Sequence, residues 1–476
     1  MLIAHVEIDG RIVDVRLAGG RIVEIGTRLG GPVDVDGRGG ALIPGLHDHH
    51  IHLAATAAEA ASVPVGRGDV RDADAFAAAL RRGAPGEWVR ATGYHESVAG
   101  ELDRWRLDAL VPDRPVRVQH RTGALWVWNS AAMRAAGLLG PGEGDSAATG
   151  PGAGGAAGAV ADALDAAEAP NPASPAGGVD PPVPGLAMAT ARTWHPPAPA
   201  DGRFWRQDAR LRDLAPPTSL DLPAVGRAAA ARGVTGFTNA DPQPAPGLSA
   251  LLAPLPQRVV VMGVDGPVKF LLDDATLPGP DDLAARFAAV RPAPVAVHCV
   301  TRTQVLVTLL ALEAAGPVPG DRIEHGSVLP EETLPWLARL GVTVVTQPHF
   351  PVERGREYAT DVDPDDRPHL YRLRSLADAG IPVAAGTDAP YGTSDPWRVA
   401  HAAVHRPDGE RVDPRAALAL FLGDPAFPGR VRRVRVGAAA DLVLLRVPLR
   451  DALDVLCADV VRETFVGGQR LFPSKE

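Results

Sequence analysis

From about residue 230 onward the chain alternates short apolar runs with longer amphipathic stretches, and a sequence so patterned has few folds open to it. Val234 to Asn239, Val259 to Gly263, Val268 to Leu272, Val295 to His298, Arg322 to His325, Val342 to Thr346 and Pro382 to Gly386 read as strands. Segments between them, such as Thr303 to Ala315 and Glu331 to Leu340, carry the helical repeat. Strands separated by helices pair in parallel, and eight such units close into a (β/α)8 TIM barrel, an α/β fold.

The two ends are patterned differently. Leu2 to Ile8, Arg11 to Leu17 and Arg21 to Ile25 are short β-like runs joined by Asp9-Gly10 and Gly19-Gly20, which read as hairpins. Asp441 to Val447, Glu463 to Val466 and Gln469 to Phe472 repeat the pattern at the carboxyl end. The expectation is a small β-sandwich module built from 1–43 and 428–476, flanking a barrel of 44–427. An insertion of about 54–225 would follow the first barrel strand, with a mobile Pro/Gly/Ala-rich stretch at 139–200 that includes one helical run, Ala159 to Glu168.

Bulk composition narrows the partners. A net charge of -9 and the absence of a basic run argue against nucleic acid and anionic membrane and favour a small-molecule substrate. The amino terminus lacks a basic region followed by an apolar stretch, and no run reaches the length of a membrane span, so a cytoplasmic location is expected. Two cysteines, Cys299 and Cys457, are too few for a disulfide framework. Nothing in the sequence decides against a homo-oligomer.

Four histidines and an aspartate fall within 47–52, in a chain with only 14 histidines. Imidazole and carboxylate at two-residue spacing hold divalent metals. If Leu42 to Leu53 is the first barrel strand, alternation places Asp48, His50 and His52 on one face and His47, His49 and Ile51 on the other. His298, His325 and Asp388 each stand at the end of an apolar run, where barrel chemistry is built. Lys269 and His298 are 29 residues apart, and His298 and His325 are 27 apart. Each spacing is about one unit of a barrel of roughly 250 residues, so the set fits strands 4, 5, 6 and 8.

Lys269 stands out because the chain otherwise uses arginine: only it and Lys475 are lysines. A buried ammonium is costly unless paired or altered, whereas a neutral amine can take up carbon dioxide and become an anionic carbamate. A strand-end lysine that snorkels to solvent is the alternative.

The run Pro44-Gly45-Leu46-His47-Asp48-His49-His50-Ile51-His52 resembles the PGLxDxHxH signature of the amidohydrolase superfamily. Asn129-Ser130, Arg322-Ile323-Glu324-His325, Gly386-Thr387-Asp388-Ala389-Pro390 and Gly437 to Leu445 resemble its YtcJ-like, amidohydrolase 3 branch. The resemblance implies a metal centre of one or two zinc ions. His50, His52 and Asp388 would hold the first ion, His298 and His325 the second, and carbamylated Lys269 would bridge. It also implies attack of an activated water on an amide, N-acyl or N-formyl carbonyl, with Asp388 moving the proton. The chain departs from the branch at His95 in Gly93-Tyr94-His95-Glu96 and at Thr122-Gly123-Ala124, so His95, Glu96, His120 and Arg121 are assigned to substrate rather than metal. Two other readings stay open: a mononuclear deaminase of a heterocycle, and a non-catalytic barrel scaffold.

Overall fold

The computed structural model describes residues 1–82, 87–140, 199–242, 244 and 246–473. Most of the Pro/Gly/Ala-rich stretch expected to be mobile, together with its helical run, lies outside the described residues. The chain forms two compact units, one of Met1–Ala61 with Thr218–Glu476 and the other of Ser62–Pro217.

In the first unit, β1 (Leu2–Ile8), β2 (Arg11–Ala18) and β3 (Arg21–Gly26) form an antiparallel meander, and β4 (Val35–Asp36) joins β1 in parallel. The Leu42 to Leu53 run, expected as one strand, divides into β5 (Leu42–Pro44) and β6 (Leu46–Ile51). Gly45 sits at the break because a Cβ there would come within 2.1 Å of the Thr235 side chain. Only glycine lets the backbone cross from one sheet to the other at that point.

The second unit carries β7 (Val63–Pro64), β8 (Val89–Tyr94), β9 (Val116–His120), β10 (Leu125–Trp128) and β11 (Arg203–Trp205) in one sheet, ordered 11-10-9-8-7. Buried Asn129 explains part of the Asn-Ser motif. Its Oδ1 accepts from Val116 N at 2.9 Å and Ala132 N at 2.8 Å, and its Nδ2 donates to the Val111 and Arg114 carbonyls. One side chain thus caps the helix Ser130–Ala135 and satisfies buried backbone groups nearby.

Back in the first unit, β12 (Val234–Asn239) lies between β6 and β13 (Arg258–Val261), all parallel. A second parallel sheet runs β14 (Val268–Leu271), β15 (Val295–Cys299), β16 (Arg322–His325), β17 (Thr343–Thr346) and β18 (Val383–Ala385). The remaining strands, β19 (Leu442–Leu445), β20 (Val461–Val466) and β21 (Gln469–Phe472), are antiparallel, and β19 pairs with β5. Ile3, Val6 and Val15 share a hydrophobic cluster with Leu442, Leu444 and Phe465, so the two chain ends bury a common core.

Strand alternation sorts the five-stranded sheet into two faces. Val295, Val297, Ile323 and Val344 pack against Leu309 and Leu312 of the helix Arg302–Ala315 and Phe287 of Pro280–Val290. Each fully buried apolar side chain there contributes about 1.5–3 kcal/mol. The opposite face carries the polar residues: Lys269 is in register with Ala296, Ala296 with Arg322, and His298 with Glu324. No helix among the described residues is long and apolar enough to cross a membrane.

Candidate metal centre

Asp388 follows β18, and its segment is laced to β6 through the backbone. Asp388 N donates to His50 O at 2.8 Å, and His52 N donates to Ala389 O at 2.9 Å. A Cβ on Gly386 would fall 2.4 Å from His50 Cβ, so glycine is what lets the two segments touch. Asp48 completes the joint: its Oδ1 accepts from Thr387 N at 2.9 Å and its Oδ2 accepts from Thr387 Oγ1 at 2.5 Å. Burial raises the Asp48 pKa to about 7, against the pull of those hydrogen bonds.

The result is a trio. His50 Nε2 lies 3.6 Å and His52 Nε2 3.4 Å from Asp388 Oδ1. Bonds of about 2.0–2.1 Å to a tetrahedral ion put ligand atoms about 3.3 Å apart, so these spacings suit one. Among the described residues, His50, His52 and Asp388 are the one group of three whose ligand atoms all lie within 4.8 Å of one another. Asp388 Oδ1 is buried without a hydrogen bond of good geometry, an expensive state that a cation would relieve.

Both rings are oriented from behind. His50 Nδ1 donates to Glu324 Oε2, and His52 Nδ1 stands 2.7 Å from Asp241 Oδ1. Engaging Nδ1 leaves Nε2 for the metal, as in the carboxylate–histidine–metal arrangement. Arg322 Nε pairs with the other oxygen of Glu324 at 2.5 Å, and its Nη2 donates to the His49 carbonyl at 3.1 Å. Burial lowers the His52 pKa, but Asp241 and Asp388 more than offset it and hold the ring at about 9. For Asp388, burial opposes ionisation, yet His52, His325 and His50 keep its carboxyl well below the usual range. Burial, reinforced by the Lys269 charge, pushes the His50 pKa well below that of a free imidazole.

His298 and His325 adjoin the trio. The His325 ring centroid lies 4.7 Å from that of His50 and 4.6 Å from that of His298. By alternation His325 would share the helix-facing side with Ile323, since it is in register with Cys299. Its φ of 66° breaks the pleat at the strand end, and Nδ1 comes 2.9 Å from Gln347 Oε1 and 4.0 Å from Asp388 Oδ2. Asp388 is also left-handed, at φ 53°. Two such non-glycine residues, at or after the ends of strands of one sheet, are the backbone strain that functional sites tend to hold. Lys269 lies on the same face as His298. Its pKa is lowered by burial first, with Glu324 pulling it back up and Arg322 pushing it down.

The other two histidines of the cluster pack behind the site. His47 Nε2 is 2.9 Å from Thr238 Oγ1, and His49 is fully buried, 4.6 Å ring to ring from His47. In the second unit, His95, Glu96 and His120 form their own cluster, with the Glu96 carboxyl held at about 2, chiefly by a hydrogen bond from His120. Arg121 joins that region through its backbone, donating to the Tyr94 carbonyl at 2.9 Å.

A model of the amidohydrolase family, amidohydrolase 3, matches residues 35–176 and 273–472. The chain belongs to the amidohydrolase family. The matched model accords with the YtcJ-like branch that its motifs resemble. No curated protein matches it. Among solved structures, this amidohydrolase is similar to an uncharacterized metal-dependent hydrolase of Pyrococcus furiosus, at 18% identity and a TM-score of 0.64 over 93% of this chain and 97% of that one. A Pyrococcus horikoshii counterpart gives 17% and 0.64, over 93% and 96%. A zinc- and atraton-complexed mutant of atrazine chlorohydrolase from Arthrobacter aurescens gives 14% and 0.51, over 98% and 94%. At these identities the likeness is one of fold.

Sequence reasoning did not single out two residues that orient the amidohydrolase trio. Glu324 lies inside the Arg322 to His325 motif, but its register with His298 is visible only in the folded chain. Asp241 follows β12 by two residues and carried no local signal of its own.

Proposed function

We propose that this amidohydrolase is a metal-dependent hydrolase of a non-peptide C–N bond in a small amide, N-acyl or N-formyl compound. The observation that carries the reading is the buried, unsatisfied Asp388 Oδ1 between two imidazole Nε2 atoms whose Nδ1 atoms are already engaged. His50, His52 and Asp388 would hold a divalent ion, with His298, His325 and a carbamate on Lys269 as the ligands of a second. The eight parallel strands of the first unit's two sheets would close as a TIM barrel around these residues, with the β-rich ends as its sandwich module. When bound, the ion supplies Lewis acidity and water acidified to a pKa of about 7.

The chain's own residues supply the proton path. Asp388, ionised in its pocket, accepts the proton of the attacking water as the C–O bond forms, then returns it to the nitrogen as the C–N bond breaks. Asp48 and Thr387 keep that carboxylate from turning away, because they clamp the residue before it to the strand that bears His50.

A single trio within ligand distance among the described residues also favours a second reading, a one-metal deaminase of a heterocycle. The zinc-bound structural neighbour is an atrazine chlorohydrolase, and at 14% identity it shares the fold alone. Metal analysis of zinc-reconstituted protein, paired with assays for amine release from N-acyl compounds and ammonia release from heterocycles, separates the two. Two ions at this centre with amine release support the first reading, and one ion at this centre with ammonia release the second. A folded protein that takes up no divalent ion removes both.

A further inference from the structure

The unit Ser62–Pro217 holds a second imidazole–carboxylate group, in which two imidazole Nε2 atoms face one carboxylate oxygen but the three ligand atoms do not all lie within 4.8 Å of one another as they do in the first. Tyr94 at the end of β8 is in register with His120 at the end of β9, which brings His95 and Glu96 beside His120. His120 Nε2 lies 3.3 Å and His95 Nε2 3.7 Å from the same atom, Glu96 Oε2. The two ring centroids are 5.9 Å apart, against 5.6 Å for His50 and His52.

The rings are also oriented from behind, here by hydroxyls. His95 Nδ1 is 2.7 Å from Ser97 Oγ, and His120 Nδ1 is 2.9 Å from Thr122 Oγ1, the same two-residue step in each case. Without an ion, Nδ1 accepts from the Ser97 and Thr122 backbone N–H groups and the Nε2 protons point at Glu96. With an ion, each ring takes the other tautomer and donates from Nδ1 to its hydroxyl, freeing Nε2 without loss of a proton from the ring. The side chains of His95, Glu96 and His120 are 23%, 35% and 13% exposed, so an ion can reach them. Glu96 and His120 also border a cavity lined by Val118, Leu125 and Arg203.

We propose that His95, Glu96 and His120 form a second divalent-cation site, separate from the hydrolytic centre and independent of that reading. Two imidazoles and one carboxylate select zinc, nickel or copper over magnesium and calcium, and leave coordination positions open to water or a small donor. The group is more open than the first trio, so binding draws the rings together. The chain's departures from the family pattern assign these residues to substrate; two imidazole nitrogens on one carboxylate oxygen suit an ion instead.

The test uses the full chain titrated with Cu2+ or Zn2+ alone. Relative to the His50→Ala/His52→Ala protein, the variant that adds His95→Ala and His120→Ala binds one equivalent of ion fewer. The Cu2+ electron paramagnetic resonance spectrum of the first variant shows nitrogen coupling that vanishes in the second. Glu96→Gln, of the same shape, weakens that equivalent by more than about tenfold and keeps selectivity over Mg2+. Unchanged stoichiometry on loss of His95 and His120, or Mg2+ binding as tight as Zn2+, overturns the proposal. If the quadruple variant does not fold, Glu96→Gln decides: unaltered affinity in the His50→Ala/His52→Ala background overturns it.

Discussion

His52 Nδ1 stands 2.7 Å from Asp241 Oδ1, and His50 Nδ1 meets Glu324 in the same way. Each imidazole of the trio is thus held by a carboxylate on another strand or the loop after one. Partners of this kind set both the ring's orientation and its basicity. Asp241→Asn and Glu324→Gln are each expected to lower divalent-ion affinity by about 10–100-fold while leaving the fold intact. Competition against a chelating dye measures the affinity, and circular dichroism reports the fold. Unchanged affinity in both variants would remove these carboxylates from the account of the centre.

Asp48 acts on the joint between β6 and Asp388. Replacing it with alanine leaves the buried Thr387 N–H and hydroxyl without their acceptor. The expected cost is about 1–3 kcal/mol for each donor stranded, read from urea denaturation. Metal affinity should fall alongside, because Asp388 loses its anchor. A variant as stable as the parent would mean that Thr387 finds another acceptor.

Lys269 is the residue whose chemistry is most open to experiment. If its amine is carbamylated, Lys269→Ala loses one bound ion and most activity, and short carboxylates such as formate or acetate restore part of both. Lys269→Arg keeps the charge but cannot form the carbamate, and should resemble the alanine variant. Equal metal content in all three proteins points instead to an amine paired with Glu324, whose charge favours the ammonium.

Glu410 sets a pH dependence away from the metal centre. Burial favours its protonated form, but hydrogen bonds from Ser375, Arg372 and the Leu373 N–H outweigh that and lower its pKa below the usual glutamate value. A carboxyl so depressed stabilises the fold fully above the unfolded value of about 4.3, and the contribution disappears as pH falls through the folded value. Glu410→Gln should therefore be less stable than the parent at pH 7, with the gap closing as the solution is acidified. Denaturation midpoints across that range check it; a gap independent of pH would assign the effect to packing.

Local pattern made much of this molecule legible. The strands Val234–Asn239, Arg322–His325 and Gln469–Phe472 were readable with their boundaries because two-residue alternation and flanking turns are properties of neighbouring residues. The HxH pair and the strand-end positions of His298, His325 and Asp388 were readable for the same reason, as was the family they resemble. What needed the tertiary structure involves residues far apart in the chain. Glu324 meets His50 from 274 positions away, and Asp241 meets His52 from 189. The break at Gly45 answers to Thr235, and the turn of His325 toward the trio depends on a positive φ that alternation does not foresee. The sequence by itself determined which residue types could bind a metal and which strands carry them. Only the folded chain decided which carboxylate stands behind which imidazole, because that choice rests on strand register and backbone strain across the sheets rather than on the periodicity of any one segment.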